Sequence, residues 1–290
     1  MLSITDVTQR LFCYNERVKK LLERYRYSWM LLKALVKADF KTKYQDSILG
    51  YLWSALKPLF MFAIMYTVFV RVLKIGADID FWPIALLLGI VVWQFFVDVT
   101  KGCLKSIVDN GSLLRKIKFP RYIVVVAGTV SAFITLLINL SVVVAFAIAA
   151  GMPLTPSMFA ALPFLVEVFV FSLGIAFFLS AVYVRFRDIQ YIWDVLVQGL
   201  FYASAIIFPV TMILQLSNGS VIAKVLLMNP VAQAIQDMRH IAVNQDIPSL
   251  WSVSGGNVWM SALPLVVVAV TFIVGAWYFR KKSPGFAEDV

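Results

Sequence analysis

The chain has 290 residues, of which 61% are hydrophobic and only 14% charged. A water-soluble fold of this size needs many more charges to cover its surface, whereas a lipid-embedded bundle can be as apolar outside as inside, so an ordinary soluble domain is excluded. The formal net charge of +10 does not point to nucleic acid, because the basic residues gather in particular loops between apolar runs, as topology signals do.

The first long apolar run begins only near Leu49, behind a basic leader of residues 1–48, so no secretory signal peptide is expected. Within the leader, Trp29, Leu32, Leu35, Val36 and Phe40 share one face at 100° per residue, while Lys33, Lys37 and Lys41 line another. Such a basic amphipathic helix suits the membrane surface, where lysines meet anionic headgroups, or a cytoplasmic partner.

Spanning the hydrocarbon takes roughly 20 mostly apolar helical residues. Six stretches qualify, at about Leu49–Val70, Phe81–Val99, Tyr122–Ala150, Phe159–Val184, Ile192–Leu214 and Val258–Phe279. Lys and Arg number ten before Gly50, six over Lys101–Arg121, two at Arg185 and Arg187, and three over Arg280–Lys282. Those twenty-one lie on one side; the alternate loops hold only Arg71, Lys74, Lys224 and Arg239, and Lys57 falls within the first span. The imbalance puts both termini in the cytoplasm. Cys13 and Cys103 then fall on the cytoplasmic side and read as free thiols. The fold class expected is therefore an all-α integral membrane protein with six transmembrane helices and an N-terminal amphipathic interfacial helix.

The outer segment Gln215–Asn257 is too long for a hairpin, yet its apolar pieces are too short to span. Asn229-Pro230 reads as an N-cap followed by proline at the first helical position. Val231, Ile235, Met238 and Ala242 recur on one face, with Gln233, Gln236, Asp237 and His240 elsewhere. Phe208-Pro209 ends or kinks the preceding span. Short re-entrant or interfacial helices on the outer side are expected, packed on protein or lining a wet cavity.

Catalytic motifs are missing from the sequence. His240 is the lone histidine and reads as a surface residue; no Cys/His/Asp/Glu spacing suits a metal, and no GxxxxGK[ST] run occurs. Gly128 and Gly199 are expected to serve helix packing. Glu167 and Asp98 fall inside apolar runs; a structural hydrogen bond to a neighbouring helix is expected for Glu167, since intramembrane carboxylates are costly unless paired. Trp82, Trp93, Trp193, Trp251, Trp259 and Trp277 sit near span ends, as interfacial belts require. Phe62, Tyr66, Phe69, Tyr202 and Phe208 on the first and fifth spans have spacings that suit either helix packing or a path on which sugar rings stack.

The ordered fragments carry a resemblance. Asp39–Pro58 (DFKTKYQDSILGYLWSALKP) resembles the entry to the first span of permeases of polysaccharide-exporting type-2 ABC transporters, the exporters of O-antigen, capsule and teichoic acid. Asn110–Arg121 (NGSLLRKIKFPR) resembles their first cytoplasmic loop, and Arg187-Asp188-Ile189 their second. Ala205–Pro209 and Met228–Val231 resemble the end of the fifth span and the outer gate segment. The tail Phe286–Val290 is close to the family's Phe-Ala-Asp ending but has Glu288 where that Asp is usual.

The resemblance implies a transmembrane domain over residues 49–290 and a homodimer of permeases. Each is bound to a separate ATP-binding-cassette subunit that uses ATP and magnesium, so no cofactor is bound directly and the chain is not itself an enzyme. It also implies a bacterial inner-membrane location and a channel for a lipid-linked glycan lined by the first and fifth spans. Asn110, Leu114, Arg115, Lys116, Phe119 and Arg121 would form the coupling element that meets the ATPase. Lys33, Lys37, Lys41, Lys43 and Tyr44 would stand at the interfacial site of glycolipid entry, where positive charge attracts a pyrophosphate-linked lipid. Rival readings are a type-2 permease for a drug or small lipid, a membrane-bound glycan-modifying enzyme, and a secondary transporter, which would need inverted repeats and broken ion-coordinating helices.

Overall fold

The computed structural model describes residues 26–42, 52–116 and 119–286. Cys13, Lys43 and Tyr44 and the last four residues of the tail lie outside them. Everything regular among the described residues is helical. Among the described residues, five helices are long and apolar enough to cross a membrane: Leu52–Val72, Trp82–Leu104, Tyr122–Ala149, Pro156–Tyr183 and Val258–Gly285.

In chain order, α1 covers residues 26–42. Next comes α2, Leu52–Met65, which runs on through a π-helical stretch at Tyr66–Val72. Then come α3 (Trp82–Leu104), the short α4 (Ser106–Asp109) and α5 (Gly111–Lys116), and α6 (Tyr122–Ala149). Gly151 at φ 72 stops α6: its N–H and that of Met152 turn back to the carbonyls of Ile148 and Ala147, the two-bond closure that a left-handed residue permits. A 3₁₀ turn at Pro156–Ala161 leads into α7 (Leu162–Tyr183). After α8 (Ile189–Ala203) follow four short helices, α9 (Val210–Leu214), α10 (Gly219–Leu227), α11 (Pro230–Ala242) and α12 (Leu250–Val253). The last long helix is α13, Val258–Lys282, capped by the Asn257 side chain, which accepts from the Trp259 N–H at 3.0 Å. Its final turn carries Arg280, Lys281 and Lys282, cations that complement the helix dipole.

The fifth expected stretch, Ile192–Leu214, is not one helix. α8 has 15 residues, roughly 22 Å of helix at 1.5 Å per residue, short of the ~30 Å hydrocarbon thickness. Proline at 209 lacks an amide hydrogen and forces the residue before it out of the helical region. Ala205 takes φ 49, and α9 restarts only at Val210.

α3 is the central post, buried along most of its length, with α6 and α7 packed on it and α2 and α8 at its flanks. Phe95 stacks on Phe169 and meets Phe133 edge-on, and Phe96 stacks on Phe171 at 6.0 Å. Trp82 and Trp93 belong to this interior, at 1% and 5% exposure, and not to an interfacial belt; Trp251, Trp259 and Trp277 are exposed, as a belt requires. α13 crosses α7 at Gly275 and Gly174, where the backbones touch: a Cβ on Gly275 would lie 2.1 Å from the Gly174 carbonyl oxygen. The helix glycine singled out by sequence, Gly199, faces open space instead, while Gly128 does abut Cys103.

The leader helix α1 keeps Lys33, Lys37 and Lys41 exposed and half-buries Leu32, Leu35, Val36 and Phe40, as its periodicity implies. Trp29 leaves that face and is exposed, with the Lys33 ammonium 5.1 Å from its ring. Asp39 accepts a hydrogen bond from Ser131 of α6, so α1 is seated on the bundle.

Candidate functional site

Residues 62, 66 and 69 recur at helical spacing, which puts their side chains on one side of the first span. Phe62 stacks on Tyr66 at 5.6 Å and meets Phe146 of α6 edge-on at 6.1 Å. The Tyr66 hydroxyl accepts from Arg71 Nε at 2.8 Å, and the same guanidinium lies over the Tyr66 ring. Phe62, Tyr66 and Phe69 are half-buried in a helix that buries only Pro58 fully. On the other flank, Tyr202 is 61% exposed and edge-on to Phe201. Phe208 sits in the break, packed with Ala205, Val210, Ile213 and Ala223. The structure thus gathers Phe62, Tyr66 and Phe69 on one helix and puts Tyr202 and Phe208 on other elements. Among the described residues no ring of one group stacks on a ring of the other.

At the basic end, Ser106–Lys116 folds as α4 and α5. The Asn110 amide donates to the Ser106 carbonyl at 2.9 Å and stabilises the turn between them. Arg115 and Lys116 are exposed, Leu114 belongs to α5, and Phe119 is anchored against the main core. Arg121 precedes α6 as its N-cap, half-buried. Lys101 pairs with Asp194 at 2.5 Å and joins α3 to α8; with both side chains more than a third exposed, that pair contributes about 0–1 kcal/mol. Cys103 is buried, its thiol donating to the Val125 carbonyl at 3.5 Å, and Asp98 accepts from Gln94 on its own helix at 2.6 Å.

The most constrained polar cluster lies at the other end, on α11. Asn229 caps it as expected, accepting from the Val231 N–H at 3.0 Å, and its amide also donates to Ser204 Oγ at 3.2 Å. The polar side of α11, expected away from the packed face, is buried as well. Gln233 donates to Asp237 at 2.7 Å, Asp237 accepts from the Leu250 N–H at 2.7 Å, and Gln236 donates to the Pro248 carbonyl at 2.8 Å. Burial pushes the Asp237 carboxyl up, against the pull of those two hydrogen bonds. His240, read as a surface residue, is half-buried with Nδ1 2.7 Å from the Ile247 carbonyl; a carbonyl only accepts, so Nδ1 carries the proton. Glu167 of α7 is buried, but its Oε1 has no partner among the described residues, so that oxygen lacks the expected interhelical hydrogen bond.

Arg239 is the residue that sequence reading missed. It counted only as one of four outer-loop cations, yet it is fully buried. Its Nε donates to the Ala85 carbonyl of α3 at 2.9 Å, Nη1 to Ala205 at 3.0 Å and Nη2 to Ile206 at 2.7 Å. The guanidinium also lies 5.1 Å from the Trp82 ring centroid. The one signal for it was a cation on a strongly capped helix too short to span.

A family model described as ABC-2 type transporter matches residues 30–242. The chain is 26% identical, over 90% of its length and 95% of the relative's, to a protein named O-antigen export system permease protein RfbA from Klebsiella pneumoniae. It is 25% identical to a protein of the same name from Myxococcus xanthus, over 94% of this chain and 100% of that one.

Proposed function

We propose that this chain, which belongs to the ABC-2 type transporter family, is the membrane-spanning subunit of an ATP-driven exporter of a lipid-linked polysaccharide. The observation that carries the reading is likeness along nearly the whole chain to proteins named as O-antigen export permeases. A drug or small-lipid permease is not favoured by those relatives.

In this reading α8, the break after Ala203 and α9 together make a sixth crossing beside the five long helices, and α9, α10 and α12 are short outer-side pieces. The surplus of Lys and Arg at the ends of α3, α6 and α13 supports cytoplasmic termini in a bacterial inner membrane. α1 then lies at the cytoplasmic surface, its lysines free to meet headgroups. A homodimer is supported by the two thinly covered flanks, since α2 fully buries only Pro58 and α8 only Val197; a second copy would cover them and face the two aromatic groups toward each other.

The test is whether an ATP-binding-cassette subunit co-purifies with the chain and whether the pair, in vesicles, moves lipid-linked glycan when given ATP. In that complex, replacing Arg115, Lys116 and Phe119 together should leave insertion and ATP hydrolysis intact while export falls at least tenfold. Normal export by the triple variant would remove α4 and α5 as the coupling element.

The path itself is tested at Tyr66 and Phe208. Aromatic stacking is worth roughly 1–3 kcal/mol per ring on a base, and several such weak contacts hold a moving chain without trapping it. Alanine at both positions should slow export of long chains severalfold without loss of the complex. Full rescue by leucine at both would reduce the rings to packing.

A further inference from the structure

We propose that Arg239 is a permanent staple: it ties α11 to α3 and to the break after α8, so that transported chains pass while α11 stays seated in the bundle and does not act as a moving gate. The inference rests on the transport function proposed above, and it concerns which parts move.

The guanidinium supplies bonds to two separate stretches of backbone at once. Ala85 belongs to α3, whereas Ala205 and Ile206 lie in the irregular stretch where helical hydrogen bonding has stopped. Among the described residues no backbone N–H reaches the carbonyls of Ala205 or Ile206. A break in a spanning segment is tolerated only where something re-satisfies the freed backbone groups, and Arg239 does that here. The planar fork of the side chain suits the task, since it presents five donors in fixed directions.

The surroundings are built to keep it there. Gly89 leaves the necessary space: a Cβ at that position would stand 2.5 Å from Arg239 Nη2. The Trp82 ring covers the cation. α11 is fastened at three further points, by Asn229 to Ser204, Gln236 to Pro248 and Asp237 to Leu250. Lifting α11 away would strand a desolvated cation and two carbonyls together, whereas a movement that carries α3, α11 and the break as one body keeps every bond. Outside that body lie α2 and α8, which fully bury only Pro58 and Val197 within one chain, and motion is assigned to them.

Hydrogen exchange on the unmodified complex reads this directly. Amides of 233–239 should exchange equally slowly at rest and during ATP turnover, while amides of α8 speed up. A tenfold acceleration across α11 during turnover would overturn the staple. The second arm is a disulfide tether, Ser204→Cys with Asn229→Cys, in a chain with Cys13→Ser and Cys103→Ser. The two native side chains meet in a hydrogen bond of 3.2 Å, and once a thiol assay shows the pair closed by oxidation, export should stay within twofold of the reduced form. Export that is lost on oxidation and restored by reductant would show that the break must leave α11 and overturns the proposal; where the pair does not close, or the cysteine variant does not fold, exchange on the native chain decides. A complex that hydrolyses ATP without moving any glycan would refute the transport reading, while exchange and crosslinking would still report on the staple.

Discussion

Arg239→Met should leave little folded protein in the membrane, and what survives should melt far below the parent. Methionine fills much of the volume but donates nothing, so Ala205 and Ile206 lose the donor that their carbonyls have. An orphaned buried acceptor costs about 1–3 kcal/mol, and hydrogen bonds to a charged donor sit at the high end. Ala85 suffers less, because it lies inside α3 and its oxygen also serves the helix. At about 1–3 kcal/mol for each orphaned acceptor, the two stranded carbonyls cost about 2–6 kcal/mol, offset in part because a desolvated guanidinium is no longer buried. Arg239→Lys should fall between, since a single ammonium cannot bridge three carbonyls in fixed directions. Gly89→Ala should destabilise the parent by pushing Nη2 out of its place, yet cost much less when Arg239 is already Met, because flexible Met can yield to the new Cβ. That non-additivity is the signature of one shared contact. Melting of the four detergent-solubilised proteins checks it, and additive losses would mean that Gly89 and Arg239 act separately.

The long apolar runs were legible because lipid demands length and composition at once. Tyr122–Ala149 and Val258–Lys282 begin where the sequence reading began them. The Asn229 cap was legible too, since it acts within two residues of its own position. Contacts between residues far apart in the chain were not. The break after Ala203 was flagged only by Phe208-Pro209, and nothing local tells that its carbonyls are met by Arg239, more than thirty residues on. The sequence left open whether α11 packs on protein or lines a wet cavity, because periodicity records which residues share a side and not what covers them. The same limit put Trp82 and Trp93 in a belt: a tryptophan near a span end faces lipid or protein according to the packing of its neighbours. The candidate path stood out as two aromatic groups from the first and fifth spans, but within a single chain no ring of one group stacks on a ring of the other among the described residues.

Gly275→Ala should separate α13 from α7, although it adds a single methyl group. Helices in lipid gain nothing from hiding apolar surface, so their association depends on close contact, which small residues allow. At this crossing the closeness is extreme: the new Cβ would stand 2.1 Å from the Gly174 carbonyl oxygen and 3.0 Å from its carbon. Both are backbone atoms in the middle of a helix and cannot swing aside as a side-chain tip would. The reciprocal change, Gly174→Ala, meets the Phe272 backbone at 2.7 Å, so both partners are constrained. Overpacking of a well-filled interior costs about 1–3 kcal/mol, and a clash with rigid backbone belongs at or above the top of that range. Loss of the crossing would also free Phe272 and Phe279 from Phe177. Gly199→Ala is the matched control, because no atom lies within 4 Å of its Cβ position and alanine is favoured over glycine in a helix by about 1 kcal/mol. Thermal unfolding of the purified proteins should therefore fall steeply for Gly275→Ala and stay level or rise for Gly199→Ala. Equal melting of the two variants would mean that α7 and α13 do not touch at Gly174 and Gly275 in the assembled protein.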